Sequence, residues 1–175
     1  NATIFQQIGD NEKSNEIYQQ AVKIIGDRSA PYLLGRIYTE MSFINAALNQ
    51  YSSGIEYAKK AFAIFEKCDD EYHKVSAESA LGLNFLYKSD WKKAELYLNQ
   101  AAEKALDLNH HQVALFICNA AQLQLLQDDF AEAENLLIQA NTFAGEGKKD
   151  WILIQISYYW SLCLLAQRRN LVAIK

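Results

Sequence analysis

Hydrophobic and polar positions do not alternate along this chain. Val, Ile and Thr show no two-residue period and no Asn-Gly or Asp-Gly hairpin turn occurs, so the pattern gives strands little support. A longer period dominates. Tyr51, Trp91 and Phe130 lie 40 and 39 residues apart, and each follows a short polar turn: Asn49-Gln50, Ser89-Asp90 and Asp128-Asp129. Three residues after each aromatic stands a small residue (Gly54, Ala94, Ala133), and ten after stands alanine (Ala61, Ala101, Ala140). Nine before, the residue is again small (Ser42, Gly82, Ala121). Ser161 and Ala173 continue the frame downstream, and Ala21 upstream. Internal repeats of roughly 20–50 residues are the mark of solenoids.

Packing explains the pattern. Small residues at fixed points let two antiparallel helices approach closely, and a large aromatic from the next helix fills the remaining gap. One helix pair cannot bury its apolar face alone. Stacked pairs form a continuous core, and a small constant rotation per repeat curves the stack into a superhelix. The frame predicts an all-α chain. First helices of each pair fall at about 30–48, 71–88, 110–127 and 149–167; second helices fall at about 12–26, 53–67, 91–107 and 130–144. Residues 3–9 end one more first helix. Ser53 with Glu56, and Asp129 with Glu132, have the spacing of a capping box, and Gly145 and Gly147 stop the helix near 144. With no linker or low-complexity segment, 1–175 reads as a single domain of about four and a half helical pairs.

Composition agrees with helices. Half of the 175 residues are hydrophobic, enough for a sizeable core, and one proline (Pro31) with seven glycines favours long helices and short turns. A net charge of -4 argues against a nucleic-acid surface. The most apolar stretch, Trp151 to Ala166, is broken by Gln155, Ser157, Tyr158 and Tyr159, so a soluble helix fits it better than a membrane span. Cys68, Cys118 and Cys163 are odd in number and far apart, and read as reduced thiols in or near the core of a cytoplasmic protein. The lone methionine, Met41, and the apolar run up to Lys175 read as a piece of a longer protein, with Asn1 and Ala2 as tag remnants.

The segment Leu81-Gly82-Leu83-Asn84-Phe85, followed by Asp90-Trp91-Lys92-Lys93-Ala94-Glu95, Leu98 and Ala101, resembles the tetratricopeptide motif. That motif spans about 34 residues, so the 39–40-residue period here lengthens the first helix by more than a turn. Lengthened repeats of this kind resemble the bacterial peptide-pheromone receptors of the Rap, NprR and PlcR group. The run Asn49-Gln50-Tyr51-Ser52-Ser53-Gly54-Ile55-Glu56-Tyr57-Ala58-Lys59-Lys60-Ala61 is similar to that group's KQ-x-x-x-S-x-x-YA-x-x-A pattern. It departs from the pattern at Asn49, in place of lysine, and at Gly54-Ile55, in place of serine-methionine. Asn84 and Asn119 stand where the group often has asparagines on first helices. The resemblance implies a right-handed superhelix that binds a short re-imported peptide in its concave groove, with an output domain ahead of the repeats. The sensor arms of MalT-like regulators are the competing resemblance.

The repeat frame also predicts which residues line the groove. First helices line the concave side, which puts Arg36, Thr39, Glu40 and Phe43 inward, followed by Ser76, Ser79, Leu83 and Tyr87. Leu115, Cys118, Asn119 and Gln122 come next, and then Gln155, Tyr158, Tyr159 and Leu162. Amides at Asn119 and Gln122, three apart on one helix face, offer a donor and an acceptor to an extended peptide backbone. Tyr158 adds apolar area and a hydroxyl. Asn84 sits on the groove shoulder. The predicted ligand-binding set is Ser79, Asn84, Tyr87, Asn119, Gln122, Gln155 and Tyr158; the alternative is that these are ordinary polar residues between helices.

Other chemistry is weakly signalled. Arg36 is the only basic residue on the inner faces, too few for a carboxylate clamp. His110-His111 reads as a solvated turn, because adjacent helical residues diverge too far to chelate together. Cys68-Asp69-Asp70 with His73 has ligand-like composition but falls at a turn where acidic caps belong. Lys148-Lys149 reads as a solvated turn. No phosphate loop, nucleophile elbow or triad spacing appears. The sequence therefore predicts a cytoplasmic, quorum-sensing-like regulator's sensor module, neither enzyme nor metalloprotein, with no cofactor, nucleic acid or membrane partner. Its partner is a short linear peptide or a protein in the groove, and a homodimer is left open. The alternative is a protein–protein scaffold or a MalT-like arm.

Overall fold

The computed structural model describes residues 9–26, 30–147 and 150–173, and the side chains of all these except 146, 147, 150 and 168–173. The predicted helix end at 3–9 and the Lys148-Lys149 turn fall outside them, apart from Gly9. Among the described residues eight helices follow in order: α1 (Asn11–Ile25), α2 (Pro31–Ala47), α3 (Tyr51–Lys67), α4 (Glu71–Tyr87), α5 (Trp91–Asp107), α6 (Val113–Leu126), α7 (Phe130–Gly147) and α8 (Asp150–Ala173). No strand occurs among the described residues. Contacts group the chain into two compact units, Asn1–Tyr97 and Leu98–Lys175, where the sequence predicts one domain.

The helices stop and restart by one device. Asn49, Asp69, Ser89, Asn109 and Asp128 each take a left-handed backbone, with φ between 49 and 62°. At each turn the next residue's N–H bonds a carbonyl five residues back, as in Gln50 to Asn45, Asp70 to Phe65, Asp90 to Phe85, His110 to Ala105 and Asp129 to Gln124. This is the Schellman closure, which satisfies carbonyls that a helix end would otherwise leave open. Asn, Asp and Ser replace the usual glycine because their short polar side chains tolerate or locally support that conformation. The turns recur every 20, 20, 20 and 19 residues, so each aromatic period divides into two half-repeats of nearly equal length.

Carboxylates one residue ahead cap the starts of α1, α4 and α7. Asp10, Asp70 and Asp129 accept from the backbone N–H of Lys13, His73 and Glu132 at 3.0–3.1 Å. Pro31 opens α2, where its missing N–H costs nothing. The Asp129 half of the predicted capping box is present. The one at Ser53 is not: α3 already begins at Tyr51, behind Gln50, which places Ser53 inside the first turn. Gly145 does not end its helix either, since α7 runs to Gly147. The predicted turn near 168 is also missing, and α8 continues to Ala173. Arg168 occupies the place of Asn49, Ser89 and Asp128, and a long straight-chain residue favours helix over a left-handed turn.

In the first unit the close approach of α2 and α3 is made at Ser42 and Gly54. The Ser42 hydroxyl donates to the Gly54 carbonyl at 2.8 Å. The Asn84 amide, from α4, then donates to Ser42 Oγ at 3.0 Å and to the Ala80 carbonyl at 2.8 Å. A side chain on Gly54 would place its Cβ 2.0 Å from Asn84 Oδ1, so glycine is what admits the asparagine. Gly35 likewise makes room for the Phe65 ring. In the second unit Ile117, Cys118, Ala121, Leu137, Ala140 and Ile156 form the centre of a core drawn from α6, α7 and α8. All nine small residues of the frame from Ser42 to Ala140 are buried. The aromatics are not core fillers: Tyr51 and Phe130 are half-buried and Trp91 is exposed, so they cover the rim of each pair.

Candidate binding surfaces

First helices are neighbours within each unit, α2 beside α4 and α6 beside α8. Their inward positions separate into two groups. Ser79, Asn84 and Asn119 are buried, as are Thr39 and Cys118 from the wider groove list. Gln122 and Gln155 are half-buried, while Tyr87 and Tyr158 are exposed. The sequence places Asn84 on the groove shoulder; the structure puts it within the α2–α3–α4 packing, with its amide engaged by Ser42 and Ala80. Thr39 turns its hydroxyl back to the Gly35 carbonyl at 3.1 Å, a bond within its own helix. Tyr87 leans on Tyr51 with ring centroids 5.9 Å apart. What stays reachable in the second unit is a strip bearing two amides on adjacent first helices, Gln122 on α6 and Gln155 on α8. Tyr158 stands on the flank of α8, at the position that Thr39 and Cys118 occupy in their own helices.

Two clefts accompany these surfaces. In the first unit a polar cleft of about 300 Å³ lies at the start of α3, between Asn49, Gln50, Tyr51, Ser52, Ser53 and Lys88. Lys88 Nζ donates to Ser52 Oγ across it at 3.2 Å. In the second an apolar cleft of about 430 Å³ is lined by Leu125, Leu126, Asp128, Phe130, Leu162, Leu165 and Ala166.

Sequence reasoning missed a connected polar cluster at the start of α2 and α4. His73 Nδ1 lies 2.9 Å from Asp70 Oδ2, and His73 Nε2 lies 2.9 Å from the Tyr32 hydroxyl. The Asp70-x-x-His73 spacing signalled the cap; only the repeat frame, which aligns Tyr32 with Tyr72, hints that a tyrosine comes near. His110 is also corrected. It is buried rather than solvated, stacks on His111 at 4.6 Å, lies tilted against Phe116 at 5.1 Å, and accepts the Gln112 N–H on Nδ1. It directly follows the left-handed Asn109, where the chain turns inward to begin the next pair.

Among the described residues no group of three or more His, Cys, Asp or Glu is placed to hold a metal ion, and no helix is long and apolar enough to cross a membrane. The three cysteines are free. Cys118 and Cys163 are buried, but Cys68 is exposed at the end of α3, outside the core expected for it. Burial pushes the Cys118 thiol up to about 12, and burial with the nearby Glu134 carboxylate raises Cys163. Thiolate is the reactive form, so a maleimide or disulfide reagent at pH 7 is expected to modify Cys68 promptly and Cys118 only on unfolding. Equal labelling rates for the two in the native protein would contradict the placement of Cys118.

No family model matches the sequence, and no curated protein matches it. Solved structures do. A Rap protein complexed with competence and sporulation factor superposes with a TM-score of 0.76 at 16% identity, over 98% of this chain and 52% of its own. BtubC from P. vanneervenii gives 0.69 at 18% identity, over 99% of this chain and 78% of its own. A kinesin light chain with nearly identical TPR-like repeats, from Podosopora anserina, gives 0.68 at 18% identity, over 98% of this chain and 86% of its own. This chain thus spans about half the length of the Rap protein. Together with the 20-residue turn spacing and the buried small-residue frame, these likenesses make the chain an all-α tetratricopeptide-type repeat domain that resembles Rap in fold.

Proposed function

We propose that this chain is the binding module of a cytoplasmic bacterial regulator, taking a short linear peptide along its first helices in a quorum-sensing-like response. It is not itself an enzyme, and it contacts no nucleic acid through this segment. The observation that carries the reading is the pair of half-buried amides, Gln122 on α6 and Gln155 on the adjacent α8. An extended peptide has backbone N–H and C=O groups that must be satisfied once water is excluded, and a carboxamide supplies both partners. A Rap protein of like fold was solved in complex with competence and sporulation factor, and the sequence's resemblance to peptide-pheromone receptors favours a peptide over a folded partner. Of the sequence-derived set in the second unit, Gln122 and Gln155 contact the peptide, with the buried Asn119 on the same helix as Gln122 and Tyr158 at the flank of α8.

The test is a peptide library screened by fluorescence anisotropy against wild type and a Gln122→Ala, Gln155→Ala double variant. Each lost contact is expected to weaken binding by about 1–3 kcal/mol, so the double variant binds at least roughly thirtyfold more weakly. Equal affinity in the two proteins would reject the amide assignment. Capture of a large folded protein and of no peptide would favour the scaffold reading instead.

A further inference from the structure

The chain of hydrogen bonds from Asp70 through His73 to Tyr32 is not required by the repeat. In the frame Asp70 corresponds to Ala30 and Asn109, and His73 to Leu33 and Gln112, so the neighbouring repeats have no aspartate–histidine pair at this place. The direction of each bond follows from the chemistry of its members. A carboxylate only accepts, and Asp70 Oδ1 and Oδ2 lie 3.0 and 2.9 Å from His73 Nδ1. In the neutral ring Nδ1 therefore carries the proton, Nε2 offers its lone pair, and the Tyr32 hydroxyl donates to it at 2.9 Å. The imidazole is held in place. Asp70 is fixed as the cap of α4 by the His73 backbone N–H at 3.0 Å, and the rings of Tyr72 and Phe65 lie 5.3 and 5.5 Å from the imidazole. The side chains of His73 and Asp70 are 27 and 21% exposed, whereas Tyr32 is 44% exposed. A shielded base thus faces an accessible phenol. Arg36, one turn along α2, sets its guanidinium carbon 6.0 Å from the centre of the Tyr32 ring, where a positive charge favours an electron-rich phenol.

We propose that Tyr32 is a site of covalent modification, a phenol made nucleophilic by His73 toward an activated acyl donor. Tyr32 Oη bonds the acyl carbon while its proton passes to His73 Nε2, and the Asp70 carboxylate faces the imidazolium that forms. The bond from that carbon to the leaving group then breaks. The leaving group departs with the electron pair, recovers the proton from His73, and leaves an aryl ester on Tyr32. Nothing is oxidised or reduced, and because Tyr32 keeps the acyl group the reaction is stoichiometric. An ester oxygen has no proton to donate, so modification breaks the bond that ties the start of α2 to the start of α4. All these residues lie in the first unit, so the site does not rest on the peptide reading in the second.

The test is limited acetylation of the 175-residue chain with N-acetylimidazole, with the initial rate at each tyrosine read by peptide mass spectrometry. Tyr158 is the internal standard. It is 60% exposed, more open than Tyr32, and its ring meets Tyr159 rather than an imidazole. Accessibility alone makes Tyr158 react first. With a positioned base, Tyr32 is expected to react at least roughly tenfold faster than Tyr158. In His73→Gln that ratio should fall to about one or below, with an unchanged helical circular dichroism spectrum. Asp70→Asn, whose side chain still caps α4, should lower the ratio in part. Tyr158 reacting first or equally fast in wild type would overturn the proposal, and so would a ratio unmoved by His73→Gln. If His73→Gln loses its helical spectrum, Asp70→Asn decides: an unmoved ratio there overturns the proposal, and a lowered one supports it.

Discussion

Gly54→Ala is expected to destabilise the first unit by about 3 kcal/mol or more, lowering the melting temperature by roughly 6–12 °C. The added Cβ would lie 2.0 Å from Asn84 Oδ1 and 2.6 Å from its Cγ. Asn84 is fully buried, and its amide is tied to Ser42 and Ala80, so it has no free rotation with which to yield. Either α3 moves away from α2 and breaks the Ser42–Gly54 bond, or Asn84 withdraws and leaves buried polar atoms unsatisfied. Adding Asn84→Ala to the glycine variant removes the obstacle, so the double variant should recover part of the loss. Thermal melts of the four proteins in this cycle check the account. Additive losses would show that Gly54 and Asn84 do not meet.

Leu137→Ala should cost about 2–5 kcal/mol, while Ile138→Ala on the same turn of α7 should change stability by less than about 0.5 kcal/mol. Leu137 is fully enclosed in the core formed with α6 and α8, and its removal leaves a cavity that rigid neighbours fill only in part. Ile138 is 48% exposed. The two side chains are adjacent in sequence and chemically alike, so the contrast reports on the face that α7 presents to the core and on little else. Urea midpoints measured for both variants provide the comparison. Similar losses would mean that the rotation of α7 is misassigned.

Fold was legible because packing imposes it residue by residue. The small residues at Ser42, Gly54 and Ala61 and their two sets of successors are all buried, as close helix approach requires. Turn chemistry was legible at Asn49, Ser89 and Asp128, and less so at Asn109, where α6 starts later than the hydrophobic pattern suggests. The end of α8 was misjudged because extending a frame assumes a turn that Arg168 does not encode. The candidate site was less legible. A frame assigns an inward direction to each position, but it does not say whether the next helix covers that position. Thr39, Ser79 and Cys118 point inward by count and are buried. Asn84 looked like a ligand residue because the frame sets it on the groove shoulder, where the resembling group often has asparagines; the glycine opposite it, thirty residues earlier, makes room for it in the packing. Gln122 and Gln155 stand at other frame positions, where Phe43 and Leu83, and Arg36, Ser76 and Leu115, are likewise not buried.

Amide hydrogen exchange, with and without a peptide found by the screen, tests the central claim most directly: that the first helices of this repeat domain bind a linear peptide. Binding should slow exchange in α6 and α8, around Gln122 and Gln155, and leave the second helix α7 nearly unchanged. Protection confined to α7 and the other second helices, or no change anywhere at saturating peptide, would contradict it.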